Sequence, residues 1–264
     1  MWTYQDLLQL KTNENYLSND YPLADPELSV GTHPVHGSDY PIYGRVGTND
    51  FNTVLAIIND RPEYGRIPEE PQSPGSIVDI GSYVGGFVRL ALEANQNRPI
   101  VAIEPMIANV AMVQRNTRQF PNNLSGTYLF NLAVGESGHV PICGPSEPAP
   151  GDVVHKFMGN VNGAENNPTS RIVKCINLEE FLTLNEICTG TKQIFFMKID
   201  CEGGEYPFFE PATTEQIRHI KYIVGEFHKA AVEAPDYMFL KHGYERFKIS
   251  ENDAGGLFAY KRID

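Results

Sequence analysis

The chain has 264 residues, 41% apolar and 20% charged, enough to bury a full core in one domain with an appendage and unlike a disordered or fibrous chain. Its formal net charge of −12 argues against nucleic acid or an anionic membrane as a partner, because either needs a basic face to displace counterions, and no Lys/Arg cluster offsets it. Cys143, Cys175, Cys188 and Cys201 show neither C-x-x-C spacing nor a dense framework, which disfavours a zinc site or a disulfide scaffold and leaves four free thiols.

The opening Met1-Trp2-Thr3-Tyr4-Gln5-Asp6 has no basic n-region or apolar h-region, and no apolar run reaches membrane-spanning length, so a cytoplasmic protein is expected. Residues 1–70 are rich in Tyr, Pro, Asn and Asp and read as an N-terminal extension or cap with two helices. The clearer helix starts at Asn49 or Asp50 and puts Phe51, Val54, Leu55 and Ile58 on one stripe, a face suited to packing on the main domain. From residue 71 to 264 strand and helix alternate. Strands are expected at Ser76 to Ile80, Ile100 to Ile103 and Tyr128 to Leu132, with helices around Phe87 to Ala94 and Ile107 to Gln119.

Residues 136–170 form a Gly/Pro/Asn-rich insertion that contains Cys143 and His155. The alternation resumes at Arg171 to Cys175, followed by a helix capped by Asn177 with Glu180 as its reciprocal partner and Leu178, Phe181 and Leu182 facing inward. Strands at Ile194 to Ile199 and Tyr222 to Phe227 and a helix ending at Gly243 come next. Tyr244 to Ile249 and Leu257 to Tyr260 then flank a Gly-containing turn and read as a hairpin. The expected fold is α/β: a Rossmann-like, mostly parallel seven-stranded sheet ending in an antiparallel hairpin, the class I methyltransferase arrangement, with the N-terminal extension added.

In open α/β sheets ligands lie beyond the carboxyl ends of the strands, so the residues ending each strand carry the chemistry. The first ends in Val78-Asp79-Ile80-Gly81-Ser82-Tyr83-Val84-Gly85-Gly86, a D-x-G-x-x-x-G loop rather than the G-x-G-x-x-G that cradles a pyrophosphate. A carboxylate there repels phosphate and suits a ligand with a cationic ammonium and sulfonium, as S-adenosylmethionine has. The second strand ends at Glu104-Pro105, where a carboxylate can accept both ribose hydroxyls, or alternatively complement the next helix dipole. The third ends at Asn131-Leu132-Ala133, whose backbone and Asn131 amide can meet an adenine edge. The fourth and fifth end in Lys198-Ile199-Asp200-Cys201-Glu202 and Glu226-Phe227-His228. Strands about 4.8 Å apart let Asp200, Glu226 and His228 converge.

Val78-Asp79-Ile80-Gly81, Ile103-Glu104-Pro105 with Asn116, Asn131-Leu132-Ala133-Val134-Gly135, Met197-Lys198-Ile199-Asp200-Cys201-Glu202-Gly203-Gly204-Glu205 and Gly225-Glu226-Phe227-His228 together resemble the FkbM-type methyltransferase family, in the right order from residue 71 to the C-terminus. The resemblance implies an S-adenosylmethionine-dependent O-methyltransferase with a small-molecule hydroxyl acceptor, often a sugar, otherwise a polyketide or other natural product. Cofactor contacts are expected at Asp79, Gly81, Ser82, Tyr83, Gly85, Glu104, Pro105, Asn131, Ala133 and Asp200. The chain departs from the family at Ser82-Tyr83, where a small residue and His or Asn are usual, and at Cys175 to Glu179, so no contact is carried to Asn177.

An un-ionised alcohol needs a base or a metal to become a nucleophile. His228 is the expected base, Glu226 its orienting partner, and Asp200 and Glu202 position the acceptor. Alternatively Asp200, Glu226 and His228 bind Mg²⁺, Mn²⁺ or Fe²⁺. The bland reading makes Glu202 and Glu205 caps of the following loop and Lys198 the neutraliser of Asp200, and for Glu205 it is preferred. A nicotinamide-dependent oxidoreductase and a catalytically silent binding module are the other classes, and a homo-oligomer is left open.

Overall fold

The computed structural model describes residues 3–12, 29–35, 38–60, 64, 66–94, 97–120, 126–142, 171–228, 233–252 and 255–264. At 10–12, 59–60, 228, 233–234, 248–252 and 255 it describes the backbone only.

The main sheet begins with β3 (Ser76–Ile80), a run buried on both faces. Beside it lie β4 (Ile100–Ile103) and β5 (Thr127–Phe130) on one side, and β9 (Ile194–Ile199), β10 (Ile220–His228), β12 (Gly255–Arg262) and β11 (Tyr244–Asn252) on the other. The order is β11-β12-β10-β9-β3-β4-β5, with β3, β4, β5, β9 and β10 parallel and the last two strands an antiparallel hairpin, as expected. The direction of winding changes between β3 and β9, which puts a crevice at their carboxyl ends.

Alternation along the strands divides the core. Val78, Ile80, Met197 and Ile199 meet Phe181, Leu182 and Phe208 from α5 (Leu178–Thr189) and α6 (Glu205–Phe209). Ile77, Ala102, Phe196 and Val224 meet Phe87 and Val88 of α3 (Gly86–Glu93) and Val113 of α4 (Ile107–Arg118). The Asn177–Glu180 capping box forms as expected, with Asn177 accepting from the Glu180 N–H at 3.0 Å and Glu180 accepting from the Asn177 N–H at 3.1 Å.

Two expectations need correction. Arg171 to Cys175 does not join the main sheet. As β8 (Arg171–Ile176) it pairs parallel to β6 (Ala133–Val134) and antiparallel to β7 (Gly138–Ile142) in a separate three-stranded sheet, an arrangement the alternation did not reveal because its partners flank the insertion. Accordingly, the 136–170 stretch starts as a strand; residues 143–170, with Cys143 and His155, lie outside those described.

In the N-terminal extension, α1 (Tyr4–Thr12) buries Leu7 in the main core. The strands β1 (Val30–His33) and β2 (Ile42–Arg45) pair antiparallel. They lead into α2 (Asp50–Leu55), which continues in π-type turns over Ala56–Asp60. Val54 is buried with Val84 and Met112 of the main domain, partly buried Phe51, Leu55 and Ile58 join that cluster, and the expected stripe does pack inward. At Gly86 a Cβ would come within 2.9 Å of Ile57, so α2 lies directly on the start of α3. No helix among the described residues is long and apolar enough to cross a membrane.

Candidate cofactor and acceptor site

A cavity of about 310 Å³ opens at the crevice, lined by the 81–84 loop, Glu104, Pro105, Asn109, Lys198, Asp200, Cys201, Glu202 and Glu226. The N-terminal extension supplies the opposite wall through Asn49, Thr53, Val54, Ile57 and Tyr64. The sequence reading puts Asn49 and Val54 on a helix packed against the main domain and assigns none of the five to a ligand site.

The loop is set by close backbone approach. Gly81 has φ +76°, and a Cβ there would lie 1.8 Å from the Asp200 carbonyl oxygen. Gly85 caps α3 at φ 88° and passes 3.1 Å, measured from an added Cβ, from the Val113 backbone. Ser82 is buried, its hydroxyl directed to the carbonyls of Asp79 at 3.2 Å and Ile103 at 3.3 Å. Tyr83 adopts a left-handed φ of 49°, costly for a non-glycine residue. Its N–H donates to Glu104 at 2.8 Å, and its hydroxyl donates to Asp50 of α2 at 2.8 Å. Burial and the Asp50 charge push the Tyr83 phenol above its usual pKa.

Glu104 is 4% exposed. Its Oε1 accepts from the Met106 N–H at 2.9 Å and the Asn109 amide at 3.1 Å, and Oε2 accepts from Tyr83. Burial raises its pKa to about 7 against the opposing effect of these hydrogen bonds. A carboxylate retains acceptor capacity beyond such bonds, so the side chain suits vicinal hydroxyls at the cavity wall.

Asp79 is placed otherwise than expected. It is fully buried, lies outside the cavity lining and pairs with Lys198 at 3.2 Å. The parallel register sets Asp79 directly beside Lys198, which explains the pairing. Lys198 pairs directly with Asp79, and its ammonium also donates to the Gly81 carbonyl at 2.7 Å. Burial pulls the Lys198 pKa down, but Asp79 and Asp200 outweigh it and hold the ammonium above its usual value. In this position Asp79 supports the loop after β3 through Lys198.

Asn131 also differs. Its amide nitrogen donates to the carbonyls of Glu104 at 3.0 Å and Pro105 at 2.7 Å, so it braces the Glu104 turn, and neither Asn131 nor Ala133 is in the cavity lining. Gly85 stands behind the cavity as the cap of α3.

At the acidic end, Asp200 Oδ2 accepts from the Tyr64 hydroxyl at 2.8 Å. Glu202 sits at φ 57° on the turn after β9, and Glu226 follows Gly225, which pairs with Ile199. Gly225 allows close strand approach, since a Cβ there would lie 2.0 Å from the Ile199 carbonyl oxygen. His228 ends β10, but its side chain lies outside those described. Glu205 is fully buried and accepts from the Cys201 N–H at 2.8 Å, the structural role expected for it. Burial pushes the Cys201 thiol well above its usual pKa, against a role as nucleophile. Among the described residues no group of three His, Cys, Asp or Glu side chains is disposed to hold a metal ion.

No curated protein matches the chain in sequence. Among solved structures, M. capricolum TrmK in complex with S-adenosyl-homocysteine is similar at TM-score 0.37 and 12% identity, covering 80% of this chain and 66% of that one, just under two thirds of its length. Magnesium protoporphyrin IX methyltransferase from Synechocystis PCC 6803 with bound SAM gives TM-score 0.37 and 9% identity over 81% of this chain and 77% of that one. A ribosomal protein L11 methylase from Lactobacillus delbrueckii subsp. bulgaricus gives 0.36 and 10% over 73% and 72%. The profile of the methyltransferase FkbM domain matches residues 79–246, more than half of the chain, and the chain belongs to the FkbM methyltransferase family.

Proposed function

We propose that this protein is an S-adenosylmethionine-dependent O-methyltransferase acting on a hydroxyl of a polar small molecule, a sugar or nucleotide sugar being the preferred acceptor. The observation that carries the reading is one cavity shared by the glycine loop, Glu104 and the acids Asp200, Glu202 and Glu226. Its described lining holds four carboxylates against the single ammonium of Lys198, a charge balance that fits a cationic sulfonium and disfavours a polyphosphate. The residues present also fit the remainder of the cofactor, with Glu104 for the ribose hydroxyls and the 81–83 loop for the amino-acid end.

Bound there, S-adenosylmethionine would supply an electrophilic methyl group to the acceptor oxygen, leaving as the neutral thioether while the acceptor's proton passes to the protein. The protein has to align the acceptor and take that proton. His228, two residues beyond Glu226 in β10, is assigned as the base, with Glu226 as its orienting partner. Asp200, fixed by Tyr64, and Glu202 accept hydrogen bonds from the acceptor's hydroxyls. Acidic side chains in such a wall suit a polyol.

The test is transfer of a labelled methyl group from S-adenosylmethionine to a panel of nucleotide sugars and hydroxylated metabolites, with chelator and with added Mg²⁺ or Mn²⁺. Transfer to a sugar that survives chelation supports the reading as stated. Transfer confined to polyketide-like acceptors replaces the acceptor class, loss on chelation replaces the base with a metal, and failure to bind the cofactor overturns the reading.

A further inference from the structure

We infer that Arg45 and Asp50, both outside the matched domain, are positioning residues for the cofactor, acting through Asn109 and Tyr83 on Glu104. The inference rests on the cofactor reading above and deepens it.

The four polar side chains from Arg45 to Glu104 form a buried relay. Arg45 is 2% exposed, Asp50 0% and Asn109 1%. The Arg45 guanidinium grips Asp50 through Nε at 2.7 Å and Nη2 at 2.9 Å, and the Arg45 N–H donates to the same carboxylate at 2.9 Å. The fork is therefore fixed in direction. Nη2 also donates to Asn109 Oδ1 at 2.9 Å. An amide has one accepting end and one donating end, so a cation on Oδ1 forces Nδ2 to the other side, where it meets Glu104 Oε1 at 3.1 Å. Were the amide reversed, an oxygen would face a carboxylate and an NH₂ would face a guanidinium.

A second route runs to the other oxygen. The Asp50 carboxylate accepts from the Tyr83 hydroxyl, and the Arg45 guanidinium lies 5.8 Å from the Tyr83 ring centroid. These contacts hold a residue whose left-handed backbone needs outside support, and its N–H is the donor to Glu104 Oε2. Both oxygens of the carboxylate that faces the cavity are thus aimed from β2 and α2. The extension does more than cover the sheet: it sets the direction and ionisation of a group in the neighbouring domain.

The titratable groups about Glu104 are Lys198 from β9 and Tyr83 from the loop, with the Arg45–Asp50 pair one side chain farther out. Hydrogen bonds from Asn109 and Tyr83 hold the Glu104 pKa down against burial, so loosening the relay raises it. Only the ionised carboxylate can accept from both ribose hydroxyls.

Calorimetric titration of S-adenosylhomocysteine into wild type, Asn109→Ala, Tyr83→Phe and the double variant Arg45→Met/Asp50→Leu, between about pH 6 and 9, tests this, with a thermal melt of each protein. The double variant removes both buried charges together, a replacement that cores often tolerate; should it fail to fold, Asn109→Ala and Tyr83→Phe carry the test. Expected are affinity losses on the order of tenfold for Asn109→Ala and for the double variant. The pH at which binding is half lost should move upward, and combining Asn109→Ala with the double variant should add little further loss. Variants that melt like wild type and bind with its affinity and its pH midpoint overturn the positioning role alone. A folded wild type that binds no S-adenosylhomocysteine overturns the cofactor reading and this inference with it.

Discussion

The Lys198 ammonium lies 3.2 Å from the Asp79 carboxylate, with the two side chains 4% and 0% exposed, and the same ammonium holds the Gly81 carbonyl. This pair ties the loop after β3 to β9 beneath the cavity. Replacing Lys198 by Met leaves Asp79 buried without its charge partner and should cost about 3–5 kcal/mol in urea unfolding. The double change Lys198→Met/Asp79→Leu should recover most of that loss in the same measurement.

Gly81 and Gly190 both have positive φ, +76° and +79°, but only the first is crowded. Gly190→Ala has open space and should cost about 1–2 kcal/mol, the left-handed penalty alone. Gly81→Ala adds a backbone clash with the Asp200 carbonyl and should cost more than that and abolish cofactor binding. Chemical denaturation of the two variants side by side separates conformational strain from steric exclusion.

Tyr64 is 2% exposed and spends its hydroxyl on Asp200. Tyr64→Phe should lower stability by about 1 kcal/mol. Because Asp200 is then less fixed, turnover should drop several-fold while S-adenosylhomocysteine affinity stays within about a factor of two. Steady-state kinetics with a methyl acceptor, beside a binding titration, checks the split.

Glu104 makes cofactor-free stability depend on pH. Its pKa is raised by burial from 4.5 to about 7, so its contribution is fully present below 4.5 and is lost as pH rises towards 7. The loss is about 3 kcal/mol. Melting curves of wild type should therefore fall across that window relative to Glu104→Ala, and a wild-type profile parallel to the variant's would refute the linkage.

Much of this fold was legible in the chain because it rests on local and periodic signals. Buried runs such as Ser76–Ile80, the Asn177–Glu180 capping box and the paired strands at the C-terminus each declare themselves within about twenty residues. Glu104, Asp200, Glu202 and Glu226 could be placed at one cavity because strand ends in a doubly wound sheet share an edge. The small β6-β8-β7 sheet was not legible, since pairing across a long insertion leaves no mark in either strand.

The order and type of the main elements, and the edge on which the acids gather, follow from the amino-acid sequence itself: period, caps and turn residues act over short spans. Partner choice among polar groups was decided only in three dimensions. Register set Lys198 beside Asp79, the Glu104 turn drew the Asn131 amide to its carbonyls, and α2 folded back to bring Asp50 to Tyr83. A carboxylate or amide has several possible partners, and which one it takes depends on a fraction of an ångström and on exclusion of water, which only the packed chain provides.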